Sequence, residues 1–225
     1  MKQTILALIL CMLMTNIKGN NPSYSFSYWN FGVRNLSVQS LNDALKIEGL
    51  AELKPVAFAA NGLIGFAFWE EHFVFNGKLN FLSSRNKEGI NLTWFGGVGS
   101  SFDFGYQIWK NDKMCIYPFI NLTLMATQLN TQQKTDAKSF ASVYQQPLIE
   151  RSFTGVEFDG ALGLTYCVRI GKSDILEIRG GYNFPLLRGK WRYSDEKIDF
   201  PKIDCRGWEI GITWATSVKS RKPKE

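Results

Sequence analysis

Histidine is nearly missing from this chain: His72 is the only one. Its four cysteines form no C-x-x-C pair, so the common zinc and dithiol redox motifs are absent. Beyond the N-terminal segment there is no apolar run near eighteen residues, which excludes a further spanning helix. The net charge is +6, yet no basic stripe is interleaved with aromatics, so nucleic acid is not an expected partner. His72 follows Glu70 and Glu71 in a tight polar connection, with no serine or cysteine beside it. A nucleophile activated by a base needs those neighbours, so no catalytic residue, metal or cofactor is expected and the chain reads as a non-enzyme.

Residues 1–19 have the layout of a secretory leader. Lys2 is the positive start, and Ile5 to Met14 is an apolar stretch too short to span a bilayer. Cleavage is placed after Gly19. Cys11 raises a lipoprotein alternative, but Leu10 is bulky where such a signal needs a small residue. Removing Lys2 and Lys18 lowers the charge from +6 to +4. Three cysteines then remain, Cys115, Cys167 and Cys205. The expected division is a leader at 1–19, one barrel over 20–218, and a basic tail at 219–225.

What the chain has in quantity is aromatics, at 14%, and glycine, at 20 residues. Both fall in stretches of strict alternation. From Val156 to Ile170 the even positions carry Val, Phe, Gly, Leu, Leu, Tyr, Val and Ile. The odd positions carry Glu157, Asp159, Ala161, Gly163, Thr165, Cys167 and Arg169. Period two over fifteen residues predicts a strand with one apolar and one polar face. A strand in a soluble domain is usually about five or six residues long, and one that crosses a bilayer at a tilt needs about ten.

The same pattern predicts seven more strands. They run at Pro22–Val33, Pro55–Phe68, Phe73–Leu82, Gly89–Trp109, Met114–Thr127, Ile175–Leu186 and Cys205–Ser217. Around Trp29 the phase changes, which predicts a bulge. A short helix is expected over Ser40–Gly49, with Ser40 as N-cap, Leu41 and Leu45 on one face, and Gly49 closing it. The connections alternate long and short. The short ones are at Glu70–His72, Lys110–Lys113 and Gly171–Asp174. The long ones lie between the first two strands, at Ser83–Glu88, at Gln128–Thr154 and at Leu187–Asp204. Short turns at one rim and long loops at the other are the layout of an outer-membrane barrel. The expected fold is therefore all-β: an eight-stranded antiparallel up-and-down transmembrane barrel with a short helix in its first long loop. Its outer surface would meet outer-membrane lipid.

This pattern resembles the small eight-stranded outer-membrane barrels of Gram-negative bacteria, the OmpA/OmpX-like class. The segment Leu41-Asn42-Asp43-Ala44-Leu45-Lys46, followed by Gly49-Leu50-Ala51-Glu52-Leu53, is similar to one found in uncharacterised Bacteroidota barrels. The resemblance implies a bacterial outer-membrane location. One departure is plain: such barrels often end on an aromatic residue, whereas Trp214 here is followed by a basic tail.

If the apolar face meets lipid, the interior receives Lys78, Asp103, Glu157, Asp159, Arg169, Glu177, Arg179 and Glu209, with Asn61 and Asn121. Buried charges must be paired, so a salt-bridged plug is expected, with a small pore as the rival. Cys115 and Cys167 face inward by parity on neighbouring strands near one rim, and are candidates for a disulfide. Trp94, Tyr106, Trp109, Tyr166, Tyr182, Trp208 and Trp214 fall toward strand ends, as an aromatic girdle does. The long loops are where a surface ligand would be met, and a monomer is expected. Two further rivals are a lipid-acting barrel enzyme and a soluble barrel that carries a ligand against an inward apolar face.

Overall fold

The computed structural model describes residues 24–70, 72–133, 149–170, 173–194, 196–197 and 206–218. The predicted leader, the basic tail and Cys205 lie outside them. Eight long strands follow one another: β1 (Tyr24–Asn35), β2 (Val56–Glu70), β3 (Phe73–Glu88), β4 (Asn91–Tyr106), β5 (Met114–Gln133), β6 (Ile149–Ile170), β7 (Asp174–Arg188) and β8 (Gly207–Val218). Each pairs antiparallel with the next, and β8 pairs with β1 through Trp214↔Trp29 and Ile210↔Val33. The ladder is a closed ring with no unpaired long edge. Closure is what an apolar solvent demands of a sheet, because an open edge leaves unpaired amides.

Alternation decides which face points inward. On β8 the outward Trp208, Ile210, Ile212 and Trp214 are 47–66% exposed, while Glu209, Thr213 and Ala215 between them are 2–6% exposed. The apolar face is therefore outside and the polar face inside, the reverse of a soluble ligand-carrying barrel. The predicted bulge falls where the phase changes: the β1–β2 register shifts between Ser27 and Asn30, and the β2–β3 register between Asn61 and Gly65.

Two of the predicted long connections differ from expectation. Ser83–Glu88 is not a loop. β3 continues through it and returns into β4 over a two-residue turn with Gly89 at φ +56°. The expected loop Gln128–Thr154 is strand at both ends, with residues 134–148 outside the described set. Ser83–Glu88 is polar on both faces, and Gln128–Gln133 has Leu129 as its one apolar residue, so little alternation marks these strand ends. After β7, short strand pieces at Arg192–Tyr193 and Glu196–Lys197 occupy the expected loop Leu187–Asp204.

The helix α1 spans Gln39–Ile47. Its N-cap is Val38, without a side-chain cap bond, so the predicted cap Ser40 sits inside the first turn. Gly49 does close it, at φ +67°, where a left-handed backbone favours glycine.

Candidate functional site: the barrel interior

The interior is layered. Nearest the short-turn rim, an apolar cluster gathers Val74, Cys115, Tyr117, Phe119, Cys167 and Ile175. At the other end, a second cluster joins the lumen-facing Phe95, Met125 and Leu129 to Leu41 and Leu45 of α1 and to Trp191. The first long connection is thus folded into the barrel mouth. Polar stitches fasten it. The Asn42 side chain both donates to the Leu53 carbonyl (2.9 Å) and accepts from the Leu53 amide (2.8 Å). Asn86 donates to the Glu52 carbonyl at 2.6 Å, and Asn91 to that of Gly49 at 2.7 Å.

Between the two apolar layers lies a charged one. Asp103 on β4 is its hub. Its Oδ2 accepts from Lys78 Nζ of β3 at 2.9 Å and from Arg179 Nη1 of β7 at 2.6 Å. Its Oδ1 accepts from Arg179 Nη2 at 3.3 Å and from Asn121 Nδ2 of β5. Asn121 is itself held by Thr123 Oγ1 at 2.6 Å. Glu209 on β8 is a second hub: Arg34 Nη2 stands at 2.8 Å, Asn183 Nδ2 at 3.1 Å and Arg179 Nη2 at 3.6 Å. Arg179 bridges the two carboxylates and stacks on the Phe119 ring at 3.8 Å. That ring lies over Gly163, where a Cβ would come within 2.5 Å of it. A side chain at this position would strike the ring, so glycine leaves room for it beneath the guanidinium. Glu177 accepts from the Tyr117 hydroxyl at 3.0 Å. Lys78, Asp103, Glu177, Arg179, Glu209 and Arg34 are all buried. An unpaired charge at such a depth would cost several kcal/mol, so pairing is what makes the layer tolerable.

Of the predicted interior set, Lys78, Asp103, Asn121, Glu177, Arg179 and Glu209 lie in this layer. Glu157 and Asp159 are buried on the same inner face, toward the outer end, and neither is without a partner. Arg169 departs from expectation. Its parity points inward, but it sits at the short-turn rim and is exposed. Alternation gives the side of a residue and not its depth. Asn61 pairs with Asn30 and Asn80 in the ladders, and its side chain lies outside the described residues. Arg34 and Asn30 join the interior although neither is in the predicted set. Both follow the phase change, and an outward row of Trp29, Phe31 and Val33 is the sequence signal that places them inside. Asn30 donates to Thr213 Oγ1 across the β1–β8 seam.

Cys115 and Cys167 are direct register partners on β5 and β6. These two candidates for a disulfide are buried free thiols here, and Cys167 Sγ lies 4.0 Å from Glu177 Oε1. His72 is exposed at the short-turn rim, its ring 5.7 Å from that of Tyr106. Among the described residues no cluster of metal-ligating side chains occurs. On the outer face Tyr106, Trp109, Tyr166 and Trp214 are exposed toward the short-turn rim. Tyr182 and Trp208 are exposed toward the other and meet edge to face at 5.2 Å.

This is a small up-and-down barrel. No family model matches the chain, and no curated protein does. Among solved structures, it is similar to the crystal structure of Ail, the attachment invasion locus protein of Yersinia pestis, in complex with the heparin analogue sucrose octasulfate. The two are 11% identical, with a TM-score of 0.39, over 87% of this chain and 95% of that one. The barrel assignment itself rests on the closed ladder.

Proposed function

We propose that this chain is a non-enzymatic barrel of a Gram-negative outer membrane, exported by the leader at 1–19, with a sealed interior and outer connections that form a recognition surface. The observation that carries the reading is the inversion of the barrel. Large apolar side chains are exposed on the outward rows of the strands, while Lys78, Asp103, Arg179 and Glu209 are buried on the inward ones. Water would not favour that arrangement, whereas a hydrocarbon solvent does. The exposed aromatics toward both rims support it. So does ring closure, which among the described residues leaves no long strand with an open edge for a partner and favours a monomer.

The layering supports a seal over a pore. An eight-stranded interior is just filled by side chains, and here ion-paired charges lie between two apolar layers. The purified barrel, reconstituted into planar bilayers, is expected to give no steady conductance. Stable single-channel steps whose ion selectivity changes in Lys78→Gln or Glu209→Gln would replace the sealed reading with that of a small pore.

A further inference from the structure

A groove of about 1060 Å³ lies at the outer ends of β3 to β6, beneath the connection that follows β7. It takes no part in the interior network. Two adjacent cross-strand rows of the outward face run through it. The first is apolar: Phe81 pairs with Val98, Val98 with Ala126, and Ala126 with Val156. The next is polar or bare: Ser83, Gly96, Gln128 and Thr154 are partners in turn, and Thr154 is paired with Arg192. The boundary between the apolar belt and the polar extension of the strands therefore passes through this groove. Trp94 marks it. Its indole Nε1 donates to Ser83 Oγ at 3.0 Å, and its ring lies on Gly96, where a Cβ would come within 2.2 Å of the ring.

The upper wall is basic. Lys190, Arg192 and Lys197 line it, all three are exposed, and no acidic residue lines the groove with them. Among the described residues none of the three is in an ion pair, unlike the cations inside. Glu196 is adjacent to Lys197 in sequence but is not part of the wall.

We infer that this groove binds the phosphate-bearing head of a membrane lipid of the outer leaflet. The acyl chains would lie along Phe81, Val98 and Val156, and the phosphate would meet Lys190, Arg192 and Lys197. Positive charge directly above an apolar floor matches an anionic amphiphile and not a free anion, which would gain nothing from the floor. The inference rests on the membrane reading above.

The test uses the full-length barrel purified in a maltoside detergent. Native mass spectrometry compares dioleoyl phosphatidic acid with dioleoylglycerol, which has the same chains and no phosphate. The wild type is expected to hold the phosphatidic acid about tenfold more tightly, and K190Q/R192Q/K197Q to lose that preference. Inorganic phosphate in excess is expected to leave the lipid bound. Equal retention of the two lipids, a preference kept by the triple variant, or displacement by inorganic phosphate would each overturn the inference. Flotation of both proteins with phosphatidylcholine vesicles separates the two levels. Failure to float contradicts the membrane reading, while flotation without a phosphate preference contradicts the groove alone.

Discussion

Asp103→Asn should lower the stability of the folded barrel by about 3–5 kcal/mol, the cost of breaking a buried pair from one side. The amide keeps the shape of the carboxylate. It leaves Lys78 and Arg179, which stand 2.9 and 2.6 Å from the same oxygen, facing a neutral group. Arg179 retains Glu209 at 3.6 Å, but Lys78 has no second carboxylate within ion-pair distance among the described residues. Lys78→Met in the same chain should therefore recover part of the loss, because it removes the cation left without a partner. Urea midpoints of the barrel in lipid vesicles, with the slope checked for constancy, read the effect. A loss under about 1 kcal/mol would mean that water reaches the layer and replaces the carboxylate, contrary to a sealed interior.

The second large effect concerns the barrel mouth. Leu41→Ala and Leu45→Ala each remove a buried side chain of α1, and losses of about 2–5 kcal/mol per site are usual for such cavities. The two sites belong to one cluster with Phe95, Met125 and Leu129, so their combined loss should depart from the sum. The ring of strands does not depend on the helix for any ladder bond, so the barrel should remain folded while the 39–55 segment becomes open to protease. Ile47→Ala is the control, since Ile47 is 84% exposed on the same helix. A double variant with the wild-type midpoint and an equally protected segment would show that α1 is not what fills the mouth.

The strands can be read from the sequence because one face is apolar and the other is not. That contrast puts Lys78, Asp103, Arg179 and Glu209 on the inner face. It fails where the contrast disappears. Above the apolar belt, Ser83–Glu88 is polar on both faces and Gln128–Gln133 keeps only Leu129 as an apolar residue, so the strand continues with little visible period. It also fails at the bulge near Trp29. A one-residue slip exchanges the faces there and hides Arg34, although it is one of the two cations on Glu209. Depth is a separate loss: Arg169 and Cys167 share a parity, yet one reaches solvent at the rim and the other is buried. The helix is legible as an amphipathic segment with a glycine stop. Its target is not, because the cluster receiving Leu41 and Leu45 is assembled from strands far along the chain.

The central claim is a closed barrel with its apolar face in a membrane and its charges inside. Envelope fractionation, followed by gel electrophoresis of the outer-membrane fraction with and without boiling, tests it most directly. The account predicts a membrane-embedded band that migrates differently once heat opens the detergent-resistant barrel. A soluble protein with a single heat-independent mobility would contradict it.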